Sequence, residues 1–463
     1  MLFRQYELGC LSLFSYLVGD ETTGRAVVVD PQRDVSQYLE DARRHHLFIE
    51  RVIETHFHAD FLSGHLELAE ATGAAICYGA GARAEFPLCE LHDGERIELG
   101  EVLIEVRATP GHTPESISLV VYERAGDSRP YGVLTGDTLF VGDVGRPDLL
   151  AAGGYSAEEL ASELYRSLWG QLLTLPEETL VYPAHGARSS CGKSLSAATC
   201  SSIGQEKRTN AALWYKDEPS FVAALTAGQP VAPRYFPYAA ESNRRRRRLL
   251  EEDASPPPLD LDRLLALQQE GAVLLDTRPP EAFAAGHLAG ALNVGLEGRF
   301  AEYVGDVVEP GDPVLLVTEE GKEQEARVRL GRIGFDTVVG HLPGIERLLA
   351  ERPALAQVAR RIDAARLAAE LAAGPQLVDV RNPGEIESSG LIETALSLPL
   401  PSLLDRRGEL EQGRPTIVYC ASGFRSSVAA SLLRRAGFAE VSDLLGGFGA
   451  WVAAGMPVTT PVR

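Results

Sequence analysis

Short apolar runs closed by turn residues recur through the first half of the chain, and four of them stop on a residue able to bind a metal. Residues 51–55 lead into His56-Phe57-His58-Ala59-Asp60, 102–108 into Thr109-Pro110-Gly111-His112, 132–135 into Gly136-Asp137, and 179–182 into Pro183-Ala184-His185. Runs of this length, bounded in this way, predict buried strands. In layered α/β folds, ligands gather on loops at strand ends, where side chains from distant segments converge. Four such loops bearing His, His, Asp and His predict a metal centre. Imidazole with carboxylate suits zinc or iron(II), whereas magnesium and calcium prefer all-oxygen shells.

The pattern changes after residue 250. Glu251-Glu252-Asp253-Ala254-Ser255-Pro256-Pro257-Pro258 cannot continue a helix and predicts an extended spacer. Beyond it the chain repeats. Val273-Leu274-Leu275-Asp276-Thr277-Arg278 is echoed by Gln376-Leu377-Val378-Asp379-Val380-Arg381, and the turn at 286–291 by that at 390–395. Apolar strands at 313–317 and 416–419 follow, then basic helices ending at Gly334-Phe335 and Gly437-Phe438. An offset of about a hundred residues marks two copies of a small domain, not a solenoid. Strands alternating with helices predict parallel sheets covered on both faces. The expected division is 1–250, 258–355 and 361–463.

A chain of 463 residues needs several cores. Its net charge of −21 excludes non-specific nucleic-acid binding. The basic block 244–248 precedes Glu251-Glu252-Asp253 and reads as a solvated helix end or linker. Six cysteines (10, 77, 89, 191, 200 and 420) form no Cys-x-x-Cys pair, which excludes a zinc ribbon and any disulfide framework. A reducing compartment, the cytoplasm, is expected. No signal peptide or membrane span is expected, since no run of about 18 uncharged apolar residues occurs.

Thr55-His56-Phe57-His58-Ala59-Asp60, Pro110-Gly111-His112-Thr113-Pro114, Thr135-Gly136-Asp137 and Pro183-Ala184-His185 together resemble the metallo-β-lactamase superfamily. That resemblance implies an αβ/βα sandwich over residues 1 to about 240. In the superfamily's dinuclear hydrolases the first motif ends Asp-His, and that His helps hold a second metal; here the position is Phe61, which cannot. The remaining His56, His112 and Asp137 form the two-histidine, one-carboxylate set of non-haem iron(II) sites. Within the superfamily the sequence is similar to the persulfide dioxygenases. The resemblance implies one iron(II) per chain on those three residues, with His58, Asp60 and His185 orienting the ligands. Residues 142–149 also resemble that subfamily, and Arg146 matches an arginine placed near its active site. Asp60 and Arg146 are thereby expected to act in the chemistry, a structural ion pair being the plainer alternative for Arg146. Zinc is the alternative metal, in a glyoxalase-II-like thioester hydrolase where zinc-bound water attacks a carbonyl.

Ile417-Val418-Tyr419-Cys420-Ala421-Ser422-Gly423-Phe424-Arg425-Ser426-Ser427 predicts a strand, a tight loop and a helix. Consecutive N–H groups in such a loop form an anion nest at the helix N-terminus, which with Arg425 favours the Cys420 thiolate, the nucleophile that sulfur transfer needs. The loop resembles the rhodanese family, and Asp379-Val380-Arg381 with Gly446-Gly447-Phe448-Gly449-Ala450-Trp451 extend that likeness over 361–463. A tyrosine-phosphatase-like loop would place one more residue between Cys and Arg. The first copy has Val317-Thr318-Glu319-Glu320-Gly321-Lys322 instead: no cysteine, and two carboxylates where an anion would sit. It is expected to be a catalytically silent scaffold or docking domain. The second copy departs from the family's Gly-His-Ile-x-Gly-Ala turn at Gly390-Leu391-Ile392-Glu393-Thr394-Ala395, with no loss of activity expected.

Cys191 is a candidate sulfur relay near the pocket, with a spectator as the plainer reading. Cys10, Cys77, Cys89 and Cys200 are expected to pack, and His65 to lie close to the ligands. As a whole the chain resembles persulfide dioxygenase–rhodanese fusions of bacterial sulfide detoxification. That resemblance implies oxidation of a low-molecular-weight thiol persulfide by O2 to sulfite, sulfur relay through Cys420, and thiosulfate as a net product. No membrane or nucleic-acid partner is expected; a homo-oligomer is. The alternative is a thioester hydrolase fused to a sulfur-relay or binding module.

Overall fold

The apolar runs of the first half pair into two sheets of six strands each. The first contains Leu2–Leu8, Leu13–Asp20, Arg25–Val29, Phe48–Ile53, Ala75–Gly79 and Cys89–Leu91, in sequence order. The second runs Ser201–Ser202, Leu180–Pro183, Gly132–Gly136, Ile117–Tyr122, Leu103–Ala108 and Arg96–Glu98. These coordinates are a computed structural model describing residues 1–149, 154–187, 189–193 and 195–460, so 461–463 of the expected last domain lie outside it.

Alternation along the strands builds the layers. Val27 and Val29 face inward, where Ile53 and Cys77 of their sheet meet Ile104, Leu119 and Leu134 of the other. Val28 and Val52 face outward onto Tyr38 of the helix Ser36–Arg44 and Leu68 of the helix His65–Thr72. Both faces are covered, which is why these strands read as unbroken apolar runs. Ala161 and Leu164 of the helix Ala157–Ser167 cover Val133 and Val181 of the second sheet. That helix starts on a capping box between Ser156 and Glu159, worth about 1 kcal/mol. The result is the αβ/βα sandwich.

The chain divides into two compact units, residues 1–229 with 236–250, and 230–235 with 251–463. Both repeats therefore belong to one unit. The first repeat has a parallel sheet in the order Leu292–Asn293, Val273–Asp276, Val314–Val317, Val338–Leu342. The second has Arg360–Ile362, Val441–Leu444, Thr416–Tyr419, Gln376–Asp379, Leu396–Ser397, also all parallel. In each, a buried arginine after the first central strand, Arg278 or Arg381, closes on the aspartate two residues earlier at 2.6 Å.

Three expectations are corrected. The proline-rich segment is no free spacer. The Leu259 amide donates to the His341 carbonyl (2.8 Å) and the His341 amide to the Pro257 carbonyl (2.9 Å), laying the segment along the edge strand Val338–Leu342. Proline is tolerated there because an edge position need not donate. The basic block is not solvated throughout: Arg247 pairs with Glu67 at 2.6 Å, beside Arg33 on the same carboxylate, and Arg244 lies over the Phe57 ring. Glu67 explains this, since a buried carboxylate needs a cation. Cys200 is exposed and does not pack. All six cysteines are free thiols, and among the described residues no helix is long and apolar enough to cross a membrane.

Candidate metal centre and cysteine loop

His56, His112 and Asp137 are fully buried, and their ligating atoms lie within 4.8 Å of one another. Asp137 Oδ2 is 3.5 Å from His112 Nε2 and 3.9 Å from His56 Nε2, yet has no hydrogen-bond partner. Leaving a buried carboxylate oxygen unsatisfied costs about 1–3 kcal/mol or more, so an orphan facing two imidazole nitrogens is the signature of a cation site. The donor set fits one metal ion.

The surrounding bonds fix which nitrogen faces the ion. His112 Nδ1 donates to the Arg146 carbonyl at 2.8 Å, leaving Nε2 as the lone-pair donor. His56 Nδ1 lies 3.0 Å from Thr55 Oγ1, which in turn donates to Asp30 at 2.9 Å; His56 therefore also offers Nε2. Burial, with His58 nearby, holds His56 well below its ordinary pKa and hence neutral. Burial would raise Asp137, but the adjacent His185 outweighs it and keeps the carboxyl ionised. Glycine is required at two close approaches: a Cβ on Gly145 would lie 1.8 Å from the Asp137 carbonyl oxygen, and one on Gly136 (φ +52°) 2.6 Å from Thr55 Oγ1.

The other motif residues form a ring behind this trio. His185 bridges two carboxylates, Nδ1 to Asp137 at 2.6 Å and Nε2 to Asp60 at 2.7 Å. Burial works against its charge, but these two anions lift its pKa well above the ordinary value. His58 stacks beside His56 (ring centroids 4.0 Å apart), but its Nε2 faces Asp30 at 3.1 Å and Glu54 at 3.7 Å. Phe61 covers the His58 ring at 4.4 Å and fills the space where a further ligand would stand. His65 is buried, with Nδ1 3.4 Å from Glu54. Arg146 reaches the trio through its carbonyl; its guanidinium grips Asp148 (3.0 and 2.7 Å) and the Ser190 carbonyl. Cys191 is buried within reach of Asp137 and His185, and burial, Asp60 and Asp137 push its thiol well up, a poor setting for a nucleophile.

Cys420 follows the strand Thr416–Tyr419 and precedes the helix Phe424–Arg435. The Gly423 amide, from a left-handed residue (φ +100°), donates to Cys420 Sγ at 3.1 Å, and Sγ lies 3.6 Å from Ser426 Oγ. Phe448 and Gly449 amides clamp the carbonyls of Cys420 and Ala421 (2.6 and 3.0 Å). Arg425 is bidentate on Glu385, both contacts at 2.7 Å, so its charge is already matched. The silent copy's loop instead borders a cleft of about 640 Å³ lined by Glu320, Glu323, Glu346 and Glu351, which repels anions.

Sequence reading missed several partners. Asn243 donates to the His58 and Phe61 carbonyls, both at 2.8 Å, and accepts from the Ser63 amide. Glu115 accepts from the Phe57 amide at 3.0 Å. Asp30, Glu54 and Glu385 complete the set. None follows a motif, and Asn243 was hidden beside a run of arginines.

A fold with two facing sheets, strand-end histidines and two parallel-sheet repeats defines a class, and comparison with known proteins agrees. The chain belongs to the metallo-β-lactamase superfamily, matched over residues 8–185, and carries two rhodanese-like domains, matched over 260–346 and 363–454. Among its relatives, human mitochondrial persulfide dioxygenase ETHE1 is 31% identical over 195 residues, 40% of this chain and 68% of that protein. The cytoplasmic hydroxyacylglutathione hydrolase of Arabidopsis thaliana is 34% identical over 175 residues, 37% of this chain and 63% of that protein. A crystal structure of a Staphylococcus aureus metallo-beta-lactamase is similar at 32% identity with a TM-score of 0.67, covering 74% of this chain and 99% of that one.

Proposed function

We propose that the chain is a persulfide dioxygenase coupled to rhodanese-type sulfur transfer, acting in sulfide detoxification in the cytoplasm. His56, His112 and Asp137 would hold a single iron(II), and that ion, when bound, supplies the activation of O2. The observation that carries the reading is the buried, unpartnered Asp137 oxygen facing two Nε2 atoms while Phe61 occupies the further ligand position. The chain's own residues do the rest: Thr55 and the Arg146 carbonyl orient the imidazoles, and His185 holds the Asp137 anion between itself and Asp60. Cys420, on its amide nest, would receive the sulfane sulfur of a thiol persulfide or of thiosulfate and pass it on, with thiosulfate as a net product. The domains are taken as 1–250, 258–355 and 361–463.

Anaerobic metal analysis with persulfide-dependent O2 uptake tests this: one iron per chain and uptake with sulfite release are expected. Two zinc ions with thioester hydrolysis and no uptake would establish the alternative instead, which the likeness to the hydroxyacylglutathione hydrolase favours and Phe61 opposes. Sedimentation checks the expected homo-oligomer.

A further inference from the structure

The silent repeat lies against the Cys420 loop. Its helix Phe300–Val307 presents Tyr303, whose ring centre is 5.5 Å from that of Phe424, the first residue of the helix following Cys420. The join is specific. Gly295 abuts the Phe424 ring, where an added Cβ would lie 3.3 Å away, and Asn293 takes a hydrogen bond from Ser427 (3.0 Å) while donating its amide to Ser431 (2.9 Å). Arg299 lies over the Tyr303 ring and closes on Glu302 at 2.7 Å.

Tyr303, Arg425 and Cys420 are near enough to bias one another's ionisation. Burial lifts the phenol above its ordinary value; Arg299 and Arg425 pull against that lift, and Cys420 adds to it. The phenol therefore keeps its proton. Its hydroxyl has no hydrogen-bond partner among the described residues, whereas both nearby guanidiniums are engaged, Arg425 on Glu385 and Arg299 on Glu302. An anionic sulfur donor reaching Cys420 thus meets one uncommitted O–H donor, and it comes from the repeat that has no cysteine.

We infer that the silent repeat supplies half of the sulfur-transfer site, with Tyr303 as the positioning residue for the anionic sulfonate end of the donor. This rests on the reading of Cys420 as the nucleophile. In the step, the Cys420 thiolate attacks the sulfane sulfur of thiosulfate, the new S–S bond forms as the old one breaks, and the electron pair leaves with sulfite. Tyr303 exchanges no atom. It holds the sulfonate oxygens so that the sulfane sulfur faces Sγ, and releases them with sulfite.

The test is Tyr303→Phe in the full chain, which keeps the ring against Phe424. A hydrogen bond to a charged group is lost, so the KM for thiosulfate should rise roughly tenfold or more with kcat little changed. Independently of turnover, alkylation of Cys420 by anionic iodoacetate should slow several-fold while neutral iodoacetamide reacts as before. Tyr303→Gln, which restores a donor, should recover part of the iodoacetate preference. An unchanged KM with an unchanged iodoacetate-to-iodoacetamide ratio would overturn the inference, as would equal slowing with both reagents, which marks mere packing. If thiosulfate turnover is absent from the unsubstituted chain, the transferase reading fails, yet the alkylation ratio still decides the placement of Tyr303.

Discussion

The metal pocket and the cysteine loop solve the same problem, holding a reactive anion or ion in a fixed place, by opposite means. The pocket draws on loops after four strands and on Asn243 from the end of its unit, so its precision is a property of the whole sandwich. The loop is a few consecutive residues between one strand and one helix, clamped by the amides of Phe448 and Gly449. A centre assembled from distant segments is rigid only while every layer holds; one assembled from neighbours needs little more than its own turn and a lid.

If the two regions are chemically independent, single substitutions should separate them. Cys420→Ser should lower thiosulfate sulfur transfer on the order of 10³-fold or more, while persulfide-dependent O2 uptake stays unchanged. Thr318→Cys, at the matching strand end of the silent repeat, should gain no transfer, since Glu319 and Glu320 follow it. His112→Ala should do the reverse of Cys420→Ser, removing O2 uptake and bound iron by more than about 100-fold while leaving sulfur transfer intact. Loss of both activities in a folded variant of either kind would join what the comparison separates.

Smaller effects sharpen the contrast. Asn243→Ala strips two backbone carbonyls of their donor, and should cost about 1–3 kcal/mol of stability and weaken iron retention roughly 10-fold, read by urea unfolding and by chelator competition. Sulfur transfer should not change. Smallest is an acid effect at the loop. Burial raises the Glu385 carboxyl, but Arg425 outweighs it, so the folded group sits below its ordinary value of 4.5. A depressed folded pKa means the ion pair's contribution is present above about 4.5 and is lost as pH falls through the folded value. Glu385→Gln should therefore flatten the fall in stability below that pH, and free Arg425 to lower the KM for thiosulfate a few-fold.

The same contrast explains what the sequence disclosed. Strand ends were legible because apolar runs stop abruptly at His56, His112 and Asp137, and the cysteine loop because its strand, glycine and helix are contiguous. The sandwich and the parallel repeats followed from the same punctuation. The polar groups that hold these sites were not legible. Asn243 stands 180 or more residues from the Phe61 and His58 carbonyls it serves, and no periodicity marks such a pairing. Glu385 sits in an ordinary helix start, where its own capping box accounts for it fully until Arg425 arrives from across the domain. The spacer reading of Pro256–Pro258 was right about extension and blind to docking, because backbone pairing along a sheet edge leaves no side-chain pattern.

That docked segment bears on any attempt to prepare the tandem repeats by themselves. The strand Val338–Leu342 borders its sheet, and the Pro257–Leu259 backbone occupies its outward hydrogen-bonding row at His341. A fragment begun at Asp260 would present those groups bare, an invitation to self-association. One begun at Glu251 would carry its own edge cover and should remain dispersed.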